Sequence, residues 1–392
     1  MRRSKRKAIQ NAAAAATISD LPNHITCDIL SRLPLNSIFA CKRVCKTWRD
    51  LTLEPCFAKL HLSRSPLSLF SYRHGDSNII NSPSYFEILQ LYDPLVLVRQ
   101  NATMKFRTEI HFPHMHMVAS CNGSILLSNS SFADDLIIVC NPLRAQQFIL
   151  PKPPELELPA TNKPAYTSGR KTALLGFGHC PSTDQYKVVR FTNSYRPARL
   201  YCDIFTIGID DEWRSMGDTG QPPALIISQI IFLNGALHWI GSDNSLFVCH
   251  FDIEREHFRS FPLPSHIGTD LIYLVVVDDR LYLHKGHSSS IWRFWAMKDS
   301  GDFGSWTLEW VIEEPIICKF KGFVRPLKML KDGSLLMAFH DISSGEPVTK
   351  ITIASYNPRT RVLKKNKYHV ILPSGKSVAD IPGFFSPMDS FK

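Results

Sequence analysis

The chain has 392 residues, 44% of them hydrophobic and 11% aromatic, the make-up of a folded globular protein with room for two or three domains, or one small module and one large domain. Its formal net charge of +10 resembles a nucleic-acid signal until it is divided. Arg2, Arg3, Lys5, Arg6 and Lys7 carry five of those charges, residues 17–64 hold seven basic and four acidic side chains, and everything after residue 64 is left with about +2, so nothing in the large region demands a duplex-binding domain.

Ten cysteines stand at 27, 41, 45, 56, 121, 140, 180, 202, 249 and 318, with no C-x-x-C pair. Most lie in apolar runs and read as buried thiols of a reducing compartment. The basic start runs into Asn11 and five alanines, not into the apolar core of a signal peptide. No window reaches 18 uninterrupted apolar residues, so no transmembrane helix is expected. The reading is intracellular, in nucleus, cytoplasm or both.

Residues 1–16 are expected to be a disordered basic tail, and its RRSKRK run is a candidate nuclear-import signal. Residues 17–62 form the next module. Two short helices are expected there, broken at Leu33-Pro34, because proline lacks the amide hydrogen and pushes its predecessor out of helical space. Pro22 is placed in a first turn after Ser19-Asp20. Ile25, Ile29, Leu30 and Leu33 line one face of the first helix; Ile38, Cys41, Val44, Cys45, Trp48 and Leu51 line one face of the second. So short a segment buries too little surface to close its own core and is expected to need a partner. Pro55 to Arg64 read as a helical turn followed by a strand.

The positions Leu21-Pro22, Ile25, Ile29-Leu30, Leu33-Pro34, Ser37-Ile38, Val44-Cys45-Lys46, Trp48-Arg49 and Leu51 resemble the F-box. The resemblance implies docking on the Skp-type adaptor of a cullin–RING ubiquitin ligase. It points to Leu21, Pro22, Ile25, Ile29, Leu30, Leu33, Pro34, Ile38, Val44, Cys45 and Trp48 as the adaptor-binding residues.

From residue 63 to 392 the texture changes to apolar runs of five to eight residues separated by Asn-Gly, Asp-Gly, Asp-Asp and proline turns, the grammar of strands. A weak repeat recurs at Ser120–Pro151, Ile231–Pro262, Val275–Trp310 and Lys328–Leu363, with a divergent unit at 173–214. Each unit predicts a hairpin through a two-residue turn, a third strand ending near Asn or Asp, and a fourth ending near Pro. That is the size of a propeller blade. Strands at Leu67–Tyr72, Tyr85–Tyr92 and Tyr368–Ile371, with Gly383–Ser386, are expected to complete a sixth blade and close the ring.

Ser120-Cys-Asn-Gly123, Asn141-Pro142, Gly176-Phe-Gly178, Asp184-Gln-Tyr-Lys-Val188, Asn234-Gly-Ala-Leu-His-Trp239 and Phe251-Asp252 resemble the F-box-associated domain of plant F-box proteins. No Gly-Gly pair marks kelch repeats and no leucine-rich repeat is present. The fold expected is mainly β with a small α module: an N-terminal helical F-box, then a β-propeller of about six blades.

No cofactor or metal is expected. His111, His114 and His116 lack the carboxylate or helical spacing of a catalytic zinc site, and with His284 and His287 they read as surface strand histidines. Gly176-Phe-Gly178 has no third glycine, lysine or following helix, so it reads as a strand allowing close packing rather than a phosphate loop. Trp239, Trp292, Trp295, Trp306 and Trp310 read mostly as core between blades. Loops 73–84, 159–171 and 193–199 are candidates for a binding face. The function expected is a non-catalytic, substrate-recruiting subunit of a Skp–cullin–F-box ubiquitin ligase, with an unidentified protein target on the propeller. Two alternatives stay open: a propeller hydrolase or oxidase with an incidental helical hairpin, and a nucleic-acid binder acting through the tail.

Overall fold

The computed structural model describes residues 21–33, 35–64 and, within 67–373, the strands and tight turns; residues 1–20, 34, 65–66 and 374–392 lie outside, as do connections including 74–84, 99–114, 130–135, 155–172, 286–290, 299–304, 314–323 and 342–347. The basic tail, Pro34, His111, His114, His287 and Gly383–Ser386 therefore lie outside the described residues, and so does most of the proposed loops 73–84 and 159–171. The described residues fall into two compact units, those up to residue 64 and those from residue 67 on. No described helix is long and apolar enough to cross a membrane.

The first unit is helical: α1 (Asn23–Leu30), α2 (Leu35–Cys41), α3 (Lys46–Leu53) and α4 (Pro55–Arg64). Pro22 sits one step earlier than expected. It is the N-cap of α1, with φ −55° and ψ 145°, and its carbonyl accepts from the amides of Ile25 and Thr26 at 3.0 and 3.1 Å. The single helix expected over Ile38–Leu51 is two. The first stops at Cys41, and after a turn Cys45 is extended (φ −155°, ψ 166°), its Sγ accepting from the Trp48 amide at 3.4 Å, so that it caps the next. Pro55 to Arg64 is helical throughout, not turn and strand.

The second unit is all antiparallel sheet. β1 (Leu67–Arg73), β2 (Tyr85–Asp93) and β3 (Val96–Val98) make a three-stranded sheet. Five larger sheets follow in chain order. The first holds β4 (Met115–Cys121), β5 (Ser124–Asn129), β6 (Ile137–Asn141) and β7 (Gln146–Ile149). The second holds β8 (Ala173–Cys180), β9 (Gln185–Tyr195), β10 (Ala198–Thr206) and β11 (Arg214–Asp218). In the third, β12 (Leu225–Ile226) and β13 (Ile231–Leu233) both pair β14 (Ala236–Asp243), which leads to β15 (Ser245–Asp252) and β16 (His257–Pro262). The fourth holds β17 (Ile272–Val277), β18 (Arg280–Lys285), β19 (Ile291–Met297) and β20 (Trp306–Glu313); the fifth holds β21 (Val324–Met329), β22 (Leu335–Asp341), β23 (Val348–Asn357) and β24 (Val362–Pro373).

These are the five repeat units, so the propeller has five full blades rather than about six. The expected sixth fails because Tyr368–Ile371 is no separate strand. It is the far half of β24, which pairs β23 across a register shift at Thr352/Ala354. The three-stranded sheet borders β24 through β3. Of the expected loop 193–199, the described residues are strand: Asn193, Ser194 and Tyr195 pair with Leu200, Arg199 and Ala198, and 196–197 lie outside the described residues.

The inner strands β4, β8, β13, β17 and β21 lie side by side in that order. Turn chemistry explains the hairpins. Asn234 and Gly235 have φ +50° and +79°, and Asp278 and Asp279 have +47° and +58°, the left-handed geometry of a type I′ turn. The turn at Asp332-Gly333 is longer, closed by Leu330 N–H to the Ser334 carbonyl at 2.8 Å.

Each blade interface is a greasy core. Phe177, Val188, Phe205 and Trp213 fill the first; Phe191, Trp239 and Phe251 the second; Ile240, Val248, Leu283 and Trp295 the third; Trp292, Phe294, Trp310, Phe339 and Tyr356 the fourth. Trp239, Trp292, Trp295 and Trp310 are buried as expected, and Trp306 is half-buried with Nε1 donating to the Pro262 carbonyl. Gly176 and Gly178 are close-packing positions. A Cβ at Gly176 would sit 2.5 Å from Leu237 Cδ1, and one at Gly178 would collide with Ile253 and Phe232.

His284 corrects the sequence reading: it is buried, not on the surface, and stacks flat on Phe294 at 4.3 Å. His238 and His250 face each other across β14 and β15 with Nε2 and Nδ1 3.1 Å apart. Burial pushes His238 down to about 3 and His284 down to about 4, and lowers His250 as well. The unfolded chain takes up protons at these imidazoles below about pH 6.5, while the folded chain does not. Their contribution is therefore intact above that pH and is lost as pH falls, by up to about 1.4 kcal/mol per pH unit for each imidazole. The melting temperature is expected to drop between about pH 6.5 and 4, and His284→Phe to flatten part of that drop in a pH series of thermal melts.

Candidate functional site

The helical unit is built on three side chains, Leu30 of α1, Ile38 of α2 and Phe57 of α4, with Cys27, Leu33, Cys41 and Trp48 packed around them. Polar contacts lock α4 onto α1. His61 Nε2 lies 3.2 Å from the Leu33 carbonyl, and burial lowers its pKa, so the neutral ring donates there. Arg64 donates to the Asp28 carbonyl at 3.1 Å and the Ser31 hydroxyl at 2.6 Å, and pairs with the Asp28 carboxylate at 2.7 Å. The hydrogen bond from Arg64, then the charge of Arg32, hold that carboxyl below its ordinary range.

This core divides the expected seam. On α1, Thr26 and Leu30 are buried, whereas Ile25 and Ile29 stay 39% and 40% exposed. One residue is a 100° turn of helix, so the two lines face different ways. Val44, in the turn before α3, is 63% exposed and Leu53, at the end of α3, 51%. Of the other expected residues, Pro22 and Cys45 are exposed, Leu21, Leu33 and Trp48 are half-buried, and Ile38 is buried. Pro34 lies outside the described residues. Trp48 is thus covered in part by its own module, and one apolar line remains outside.

Sequence reasoning missed α4, although Phe57, Leu60, His61 and Arg64 follow helical spacing. It also left out Leu53, exposed at the end of α3. Cys45 and Cys56 are exposed, contrary to the expectation of buried thiols, while Cys121, Cys140, Cys180, Cys202 and Cys249 of the blades are buried.

Residues 18–60 match the F-box domain, and residues 67–375 match the F-box associated beta propeller domain. The chain belongs to the F-box-associated β-propeller family. Among relatives of this F-box protein, "F-box protein At3g07870" of Arabidopsis thaliana is 23% identical over 97% of this chain and 96% of its own. "F-box/kelch-repeat protein At3g23880" of the same plant is 24% identical over 81% and 85%. The solved structure of TolB from Acinetobacter baumannii aligns with 84% of this chain and 70% of its own at a TM-score of 0.42 and 9% identity, a likeness too slight to carry a functional argument. F-box proteins are generally adaptors rather than catalysts, and the F-box implies binding of a Skp-type adaptor. Among the described residues no group of three His, Cys, Asp or Glu side chains could hold a metal ion.

Because Phe57 joins all three walls of the small core, Phe57→Ala is expected to cost about 3–5 kcal/mol. Loss of the helical unit's protease resistance, with the blades still resistant, is the measurement that checks it.

Proposed function

We propose that this F-box protein is the substrate-recognition subunit of a Skp–cullin–F-box ubiquitin ligase. The helical module grips the Skp-type adaptor, which connects it to cullin and RING subunits, and the propeller holds a target protein. The chain does no covalent chemistry in this reading. It raises the local concentration of target near a ubiquitin-charged enzyme.

The observation that carries the reading is the exposed line Ile25–Ile29, with Val44, on a module whose own core is already closed by Leu30, Ile38 and Phe57. We assign the adaptor contact to Leu21, Pro22, Ile25, Ile29, Val44, Cys45 and the open part of Trp48. Leu30, Leu33 and Ile38 act by holding those residues in place. Large, partly buried aromatics such as Trp48 are the usual anchors of an interface.

The test is co-purification with the adaptor. Ile25→Lys with Ile29→Lys, and separately Trp48→Ala, are each expected to cost roughly 2–4 kcal/mol of binding, or about 30- to 1000-fold in affinity. The double lysine variant should leave the helical fold intact, because both side chains already meet solvent. Undiminished adaptor capture by that variant would remove α1 from the interface.

A further inference from the structure

Each full blade ends in an outer strand whose far edge is paired by no described strand. Such edges invite another chain to add on, and natural proteins blunt them with charge or proline. β11 carries Arg214 and Asp218, and β16 carries His257, Arg259 and Pro262. β20 carries Glu309 and Glu313, and β24 carries Lys364 and Lys365. β7, Gln146-Gln147-Phe148-Ile149, carries neither charge nor proline. Its Phe148 is 41% exposed and its Ile149 48%.

The backbone of β7 is set for pairing. The Leu150 amide donates to the Ile137 carbonyl at 2.9 Å, and Ile149 and Phe148 stand opposite Ile138 and Val139. Alternation along an antiparallel ladder then turns the Phe148 groups inward and the N–H and C=O of Gln147 and Ile149 outward.

Just beyond Ile149 the chain is bonded to a segment that carries two acids. The Phe148 ring lies 6.2 Å from Phe205, which lies 5.6 Å from Trp213, whose Nε1 donates to the Pro151 carbonyl at 2.8 Å. Asp211 and Glu212, directly before Trp213, are exposed, and neither forms an ion pair among the described residues. Lys152, on the strap beyond Ile149, is exposed but already engaged within the chain.

We propose that β7 is a strand-addition site. An extended segment of the target joins its blade as a further strand, with apolar side chains at alternate positions beside Phe148 and Ile149 and lysine or arginine at the end next to Asp211 and Glu212. Main-chain bonds to Gln147 and Ile149 supply affinity, and the apolar and acidic neighbours supply selectivity. The proposal rests on the reading that the propeller holds the target.

The experiment uses the full chain and two fluorescent octapeptides, three Thr-Val repeats followed or preceded by Lys-Arg, which cover both strand directions. At least one peptide is expected to bind by anisotropy. Gln147→Pro removes only an outward N–H, which an edge strand tolerates; Ile149→Lys adds the missing charge. Each is expected to weaken binding by about 10-fold or more, and Asp211→Lys with Glu212→Lys by about 5-fold with less salt dependence. Thermal melts should match the parent chain. Failure of both peptides to bind the parent, or equal binding to Gln147→Pro and Ile149→Lys, overturns the assignment. Adaptor capture by the parent chain is scored in parallel: peptide failure with adaptor capture intact condemns β7 alone, and adaptor failure with peptide binding intact condemns only the α1 surface.

Discussion

A four-stranded blade cannot stand by itself, because both its faces are apolar. β14 makes the point residue by residue. Leu237 and Trp239 enter the core shared with the second blade, while Ile240 enters the core shared with the fourth. Strand alternation sends neighbours to opposite faces, so the second, third and fourth blades each complete two cores at once. Gly176 and Gly178 belong to the same constraint: Leu237, Phe232 and Ile253 of the third blade occupy the space where their side chains would be. Fully burying each large apolar side chain is worth about 1.5–3 kcal/mol, and closely packed aromatics add to that.

Among the described residues, the buried charges at these interfaces stand in compensated groups. Arg190 and Asp203, both buried, stand opposite each other on β9 and β10, bonded at 2.7 and 3.0 Å; Arg190 also donates to the Pro154 carbonyl. Trp213 holds the same strap at Pro151. Glu256, in the turn after β15, accepts from Lys187 of β9 at 2.8 Å and from Arg214 of β11 at 2.6 and 2.7 Å. These contacts tie the second blade to the strap before it and to the third blade after it. Removing one partner would strand a buried charge, which costs more than the pair contributes. Such groups therefore specify which blade meets which, as much as they stabilise the meeting.

Much of this was readable in the residues. Asn234-Gly235 and Asp278-Asp279 announce hairpins because their side chains tolerate left-handed backbone, and four strands between such turns imply a blade. The blade count was less legible. Tyr368–Ile371 looks like an independent strand, and nothing local reveals that it continues β24 past a register shift. His284 was misread for a related reason: a histidine beside a glycine turn resembles a surface residue, and only the flat contact with Phe294 shows otherwise. In the helical unit, apolar spacing located the faces but could not separate them. Ile29 and Leu30 are adjacent in sequence and equally apolar, yet one is exposed and the other fully buried. That choice was made by α4, whose Phe57 decides which line of α1 becomes core, and α4 was the element the sequence concealed behind Pro55.

The same comparison separates two kinds of apolar residue that a motif treats alike. A module of four short helices has interior for only a few side chains, here Leu30, Ile38 and Phe57 with their partly buried neighbours. Surface-to-volume scaling leaves the remainder outside whatever their chemistry. Ile25 and Ile29 on one line, with Val44 in the turn beyond α2, are that remainder. The blades hide such residues against the next blade; the helical unit offers them no second layer. Exposed apolar residues scattered singly are ordinary, but two placed one helical turn apart on a rigid, polar-locked helix form a ridge. A ridge held in shape by Arg64, Asp28 and His61 loses little freedom when it is covered, so burying it against another protein retains most of its transfer free energy.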